Sequence, residues 1–227
     1  MKFFFLSTAL ILAAASATWA APVAEAVGDT SKLTQADYRH EIKTCNDALK
    51  RATKDGKLYR RRADAEIKLK DYQNAVADYS KAIQLKVSDA DVFYNRGMAQ
   101  LKLEDYRKSV ADFNAALKLR PTDAGTLYAR GVARVLGMEY KPAIADLSKS
   151  ILLDSTVADA YEYRGIAFAM IEKSVEACRD LAKAVQMNPS AIKSQRRYCK
   201  DDKNVKEGKT GKDTPKASTK AAAKGKK

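Results

Sequence analysis

The sequence repeats itself every 34 residues, and this period restricts the chain to a small set of folds. The stretch FYNRGMAQLKLEDYRKSVADFNAALKLRP, residues 93–121, returns as LYARGVARVLGMEYKPAIADLSKSILL from Leu127 and as YEYRGIAFAMIEKSVEACRDLAKAVQMNP from Tyr161. One period earlier it reads YRRRADAEIKLKDYQNAVADYSKAIQL from Tyr59. A period of this length makes each unit one supersecondary element that buries its apolar face only against its neighbours. Four units, 56–89, 90–123, 124–157 and 158–191, follow one another without insertion or deletion.

Within each unit the apolar spacing predicts two helices joined by a short turn. The first carries a large residue (Tyr59, Phe93, Leu127, Tyr161) and a small one four later (Ala63, Gly97, Gly131, Gly165), then alanine (Ala65, Ala99, Ala133, Ala167). The second carries Ala75, Ser109, Ala143 and Ala177 early, then Tyr79, Phe113, Leu147 and Leu181, then Ala82, Ala116, Ser150 and Ala184. Small residues let helices cross closely while bulky ones fill the space beside the crossing. Pro121 and Pro189 stop a second helix, and Pro142 falls in the first turn of one, where its missing N–H costs little.

Residues 34–53 have the same helical spacing, with Tyr38, Ile42, Cys45 and Leu49 on one face. In the 34-residue register Tyr38 aligns with Tyr72, Tyr106 and Tyr140, so this helix reads as the second half of a unit whose first helix is missing. After Pro189, SAIKSQRRYC reads as a short helix, at about 190–199, that covers the last unit, as terminal repeats require.

The pattern resembles the tetratricopeptide-repeat family, whose signature across 34 residues is a large aromatic, a Leu-Gly step, an alanine, an aromatic and a proline. The resemblance covers 56–191 directly and 34–53 as a half unit. It implies an all-α fold, a right-handed superhelical solenoid of helix-turn-helix repeats. Four full repeats, an N-terminal half repeat and a C-terminal capping helix would make up residues 34–199. It also implies that the first helices line a concave groove in which a partner peptide lies. The positions here that would face it are Arg60 and Arg61 in the first unit and Tyr94, Asn95, Met98 and Leu101 in the second. Tyr128 and Val132 follow in the third, and Glu162, Tyr163 and Ile166 in the fourth. Such a groove would be basic at its N-terminal end and apolar-aromatic beyond, a surface for an extended or helical peptide with hydrophobic anchors. Asp64 stands where a carboxylate clamp of the kind that holds chaperone C-termini would need asparagine, so chaperone docking is not expected.

One departure recurs. Where the family has leucine before the glycine, this chain has Arg62, Arg96, Arg130 and Arg164, and each second helix carries an aspartate in step: Asp78, Asp112, Asp146 and Asp180. Such a ladder would either grip an anionic ligand or form inter-helix ion pairs that fix the stacking register. An aspartate for every arginine favours the second reading. The pairs are expected within hydrogen-bonding distance, inside a unit or across neighbours, as Asp78 with Arg96, Asp112 with Arg130 and Asp146 with Arg164.

The ends bear on location. Residues 1–20, MKFFFLSTALILAAASATWA, have one lysine and then an unbroken apolar run ending in small residues, the pattern of a secretory signal peptide. The alanine-rich end of that run suits a bacterial, periplasmic or extracellular protein, with no transmembrane segment in the mature chain. Residues 21–33 are small and polar and read as a disordered linker. From Lys200 the chain holds ten lysines, four acids and no aromatic residue, and reads as a disordered tail. It carries a large share of the net charge of +14, an excess that favours anionic partners. Two readings of the tail stand: a solubilising segment, or a tether to anionic lipid, envelope polymer or nucleic acid.

Secretion permits disulfides. Cys178, early in the last second helix, and Cys199, in the capping helix, are placed to bridge or to remain free thiols. Cys45 lies too many units away to pair with either and is expected buried and free. No catalytic constellation, glycine-rich phosphate loop, zinc spacing or calcium loop stands out, and His40 is the sole histidine. No enzyme activity, small-molecule substrate, cofactor or metal is expected. The function expected is that of a non-enzymatic scaffold binding a protein or peptide partner.

Overall fold

A computed structural model describes residues 33–199. The expected signal peptide, most of the linker and the lysine-rich tail lie outside the described residues.

Among the described residues the chain is helical, with no strand. The half unit is α1 (Gln35–Leu49). The four full units are α2 (Gly56–Lys68) with α3 (Tyr72–Gln84), α4 (Ala90–Lys102) with α5 (Tyr106–Leu119), α6 (Ala124–Leu136) with α7 (Tyr140–Leu153), and α8 (Ala158–Met170) with α9 (Ser174–Met187). A 3-10 turn, Pro189–Ala191, leads into α10 (Ile192–Tyr198). Each helix packs on the next, and the first helices α2, α4, α6 and α8 also pack on one another along the array. The last helix, α10, packs on α9 and α8, in the place a fifth first helix would take. The chain is an all-α helical repeat solenoid.

The helix boundaries follow from local chemistry. Asp55, Asp89 and Asp123 cap the N-termini of α2, α4 and α6, each side chain accepting from backbone N–H groups of the first turn. Asp71 and Asp105 do the same for α3 and α5. Inside each unit the first helix stops at a residue in the left-handed region: Lys70, Glu104, Met138 and Glu172, with φ between 60° and 63°. The next N–H then reaches back five residues, as from Asp71 to the Glu66 carbonyl at 2.9 Å and from Asp105 to the Gln100 carbonyl at 2.9 Å. This is a Schellman closure made four times without glycine. Gly137 sits one residue before the left-handed position, at φ −82°.

The core repeats with the sequence. Tyr79, Phe113, Leu147 and Leu181 are fully buried, flanked by buried Ala75, Ser109, Ala143 and Ala177 on one side and Ala82, Ala116, Ser150 and Ala184 on the other. Burying a side chain of the larger kind stabilises by about 1.5–3 kcal/mol. The small residues opposite are required by contact distance. A Cβ on Gly131 would stand 2.6 Å from Leu147 Cγ, and one on Gly97 would stand 2.9 Å from Phe113 Cε1. Ser109 Oγ also donates to the Gly97 carbonyl at 2.8 Å, so the close crossing of α4 and α5 carries its own hydrogen bond.

Candidate functional site

The arginine column packs between layers. Arg62 Nε and Nη2 donate to both carboxylate oxygens of Asp78, at 2.5 and 2.7 Å. Arg96 grips Asp112 the same way, at 2.7 and 2.6 Å, as do Arg130 with Asp146 and Arg164 with Asp180. Every pair lies inside its own unit. The cross-unit pairing expected of Asp78 with Arg96, and of its counterparts, does not form; each ladder arginine instead meets the aspartate of its own unit in two-point contact. The third corner of each guanidinium makes the link between units. Its Nη1 donates back to the preceding second helix: Arg62 to Asn46 Oδ1, Arg96 to Ser80 Oγ at 3.0 Å, Arg130 to Asn114 Oδ1 at 2.7 Å and Arg164 to Ser148 Oγ at 3.1 Å. This acceptor column was readable: 46, 80, 114 and 148 are Asn or Ser at the same 34-residue spacing, and the place after them is Ala182, where no arginine follows. With its donors spent on protein acceptors, the column has little left for an anionic ligand.

The first-helix row is less uniform than its sequence suggests. Its N-terminal basic end is neutralised: Arg60 donates to Asp89 at 2.5 Å and lies 3.8 Å from Asp64, while Arg61 donates to Glu41 at 2.6 and 3.0 Å. Asp64 in turn accepts from the Tyr79 hydroxyl at 2.5 Å and from Asn95 at 3.5 Å. Val132 is buried in the core. Met98 and Leu101 pack on the core around Phe113, and Ile166 on the core around Leu147. Tyr94, Tyr128 and Tyr163 form a row on successive first helices, half-buried like Met98, Leu101 and Ile166 and packed on the same cores. Tyr94 tilts against Phe113 with ring centroids 5.8 Å apart, and Tyr128 meets Tyr163 edge-on at 6.4 Å. Burial raises the Tyr94 hydroxyl above the usual tyrosine range, with Asp123 adding to it. Burial raises Tyr128 and Tyr163 as well, helped by Asp159 and Glu162. All three stay protonated at neutral pH and present O–H donors beside carboxylates. Glu162 itself accepts from Ser194 of α10 at 2.5 Å, which ties the capping helix to the end of the row.

Cys178 and Cys199 are joined, with Cα atoms 5.6 Å apart and a separation of 21 positions in sequence. Cys45 is free and buried beneath α2, and burial pushes its thiol upward, away from reactivity. Among the described residues no group of His, Cys, Asp or Glu side chains is placed to hold a metal ion, and no helix is long and apolar enough to cross a membrane.

Comparison with known proteins bears on this geometry. The family model described as a TPR repeat matches residues 63–104, and that of the tetratricopeptide repeat matches 90–123. The chain is a tetratricopeptide-repeat protein. Solved structures of other such proteins share its fold. That of YrrB, described as a TPR protein with an unusual peptide-binding site, superposes with a TM-score of 0.67 at 19% identity, over 71% of this chain and 84% of that one. MamA from Desulfovibrio magneticus RS-1 gives 0.63 at 19%, over 69% and 88%. A tetratricopeptide repeat protein from Parabacteroides merdae gives 0.64 at 17%, over 72% and 66%. No curated protein matches the sequence. As a tetratricopeptide-repeat protein, the chain is built as a protein–protein interaction scaffold.

Proposed function

We propose that this scaffold works outside the cytoplasm, without catalysis, by holding a peptide or protein segment along the first-helix row. The observation that carries the reading is the tyrosine row: Tyr94, Tyr128 and Tyr163 stand on three successive first helices, and none of their hydroxyls bonds to a protein group among the described residues. Aromatic rings of this kind give much contact area for little lost conformational freedom, and their hydroxyls supply directed hydrogen bonds. Packing of α2, α4, α6 and α8 on one another supports placing these helices on the inner side of a curved array. The apolar run of residues 1–20 and the Cys178–Cys199 bridge support an oxidising compartment. The test is selection of peptides from a displayed library on the full chain, followed by affinity measurement. Tyr94→Ala with Tyr128→Ala should weaken the selected peptides at least tenfold. Unchanged affinity would remove the row from the binding surface.

The ten lysines of residues 200–227 favour a second reading, a structural protein tethered to an anionic surface. Under it the full chain sediments with vesicles containing anionic lipid, lets go steeply as salt rises, and is indifferent to the tyrosine substitutions.

A further inference from the structure

Four residues after each ladder arginine the units carry Glu66, Gln100, Arg134 and Phe168. Unlike the arginines, this column changes chemistry from unit to unit. Glu66 is only 6% exposed; Oε1 lies 4.0 Å from Arg62 Nε, and Oε2 has no hydrogen-bond partner. Glu66 lines a cleft of about 350 Å³, walled by Asn46 of α1, Arg62 of α2, Asp71 at the cap of α3, and Asn74 and Asp78 of α3. The cleft recurs one unit on, at about 400 Å³, with Gln100, Arg96 and Asp112 in the corresponding places. There too the floor residue is buried with an acceptor, Gln100 Oε1, left unpaired.

The third unit shows what such a cleft accepts. Arg134 occupies the column, and its Nη1 donates at 2.5 Å to Asp146, the counterpart of Asp78. Asp146 thus has two guanidinium groups, from Arg130 and Arg134. In the first unit the count is reversed: Glu66 and Asp78 share the single guanidinium of Arg62, and Asp71 adds a third carboxyl to the cleft wall. Asn74 gives its amide to Asp71 at 2.7 Å, leaving its carbonyl oxygen for an incoming donor. A planar group with five N–H donors matches carboxylate and amide oxygens arranged in this way.

We propose that the cleft over Glu66 is a binding site for a guanidinium, the side chain of an arginine on a protein partner that docks across α1, α2 and α3. The arginine would be set against Asp78 as Arg134 is set against Asp146. Burial, with Asp78 nearby, pushes the Glu66 carboxyl up to about 8 against the opposing effect of Arg62, and Asp71 adds to the rise. Without a cation beside it Glu66 is therefore mostly a neutral acid at neutral pH, and an arriving cation ionises it.

The probe is acetyl-arginine amide, titrated into the full chain and followed by carbon-detected spectra of the Asn46, Asn74 and Glu66 side chains. Saturable shifts are expected there, and none with acetyl-citrulline amide, which has the same shape without the charge. Affinity should rise roughly tenfold between pH 7 and pH 9, since at pH 7 about nine molecules in ten must first lose the Glu66 proton. Glu66→Gln, the residue the next unit carries, should keep the fold and abolish that pH dependence. Glu66→Arg, which fills the cleft as the third unit does, should abolish the shifts. Equal shifts with the citrulline compound, no saturation, or an affinity indifferent to pH would each overturn the proposal.

Discussion

Removing Asp112 tests whether the arginine column holds the array in register. In the native structure Arg96 has a side chain 19% exposed and Asp112 one 7% exposed, so both charges are largely withdrawn from water. Asp112→Leu deletes two charge-assisted hydrogen bonds and leaves the guanidinium only its 3.0 Å contact with Ser80. Stranding a buried charge in this way costs about 3–5 kcal/mol. Arg96→Met strands the carboxylate instead and should cost a similar amount. The double variant Arg96→Met/Asp112→Leu removes both charges and keeps the volume, and by the same reasoning lies near neutral or is more stable than wild type. With two single costs of about 3–5 kcal/mol and a double variant near zero, the coupling in a double-mutant cycle should be about 6–10 kcal/mol. Urea unfolding followed by both circular dichroism and tyrosine fluorescence measures it, and coincidence of the two probes checks that the array unfolds as one unit. The exposed Arg120–Asp91 pair is the control, and Arg120→Ala should leave the midpoint where it was. A cost below about 1 kcal/mol for Asp112→Leu, the range of exposed pairs, would refute the reasoning. So would a double variant as unstable as the sum of the singles.

Three further outcomes follow from particular contacts. The Glu66 carboxyl is held at about 8 in the folded state against an ordinary value of 4.5, so between those values the folded chain keeps a proton that the unfolded chain gives up. Stability should fall as pH rises from about 5 to 8, by on the order of 3 kcal/mol, and level off above; Glu66→Gln should remove that slope in urea titrations across the range. Gly131→Ala drives a methyl to within 2.6 Å of Leu147 Cγ and should destabilise by about 1–3 kcal/mol, read as a lower urea midpoint; no change would mean α6 and α7 can part freely. Cys178→Ser with Cys199→Ser opens a loop of 21 residues, a loss on the order of 3 kcal/mol that should appear as faster hydrogen exchange in α10 but not in α2–α5. Exchange rates identical to wild type would show that the bridge does not hold the cap.

Packing was legible in the sequence because it depends on residue size at a fixed period. Gly97 under Phe113 and Gly131 under Leu147 are forced pairings once the period is seen, and the half unit α1 follows from the register of Tyr38 and Cys45. Polar partnership was legible only in part. A column of four arginines and four aspartates announces ion pairs, but the choice of partner is decided by which carboxylate a rigid fork meets in two-point contact, and sequence spacing does not contain that angle. The Asn46, Ser80, Asn114 and Ser148 column was overlooked because Asn and Ser share no obvious chemistry until one guanidinium is seen bonding to each. The basic end expected at Arg60 and Arg61 fails for a related reason. Their neutralising partners, Asp89 and Glu41, lie 29 and 20 residues away, one at a helix cap and one in the half unit, outside any repeat-by-repeat count.

The last junction completes the mechanics of the array. Between units, every first helix is fastened to the second helix before it by a guanidinium corner on an Asn or Ser. At the junction of α9 with α10 both parts are missing, since Ala182 holds the acceptor place and Tyr198 the arginine place. A helix of seven residues buries too little to stay docked on packing alone, and none of its residues is buried. Here the chain places its disulfide, Cys178 on α9 to Cys199 after α10, beside the single Ser194–Glu162 hydrogen bond. The covalent bridge thus takes over at the one interface where the repeating clamp cannot form. Restoring the clamp with Ala182→Asn and Tyr198→Arg should therefore recover part of the α10 protection lost when both cysteines are serine. If exchange in α10 stays as fast as in the cysteine-free chain, the guanidinium corner is a product of docking and not its cause.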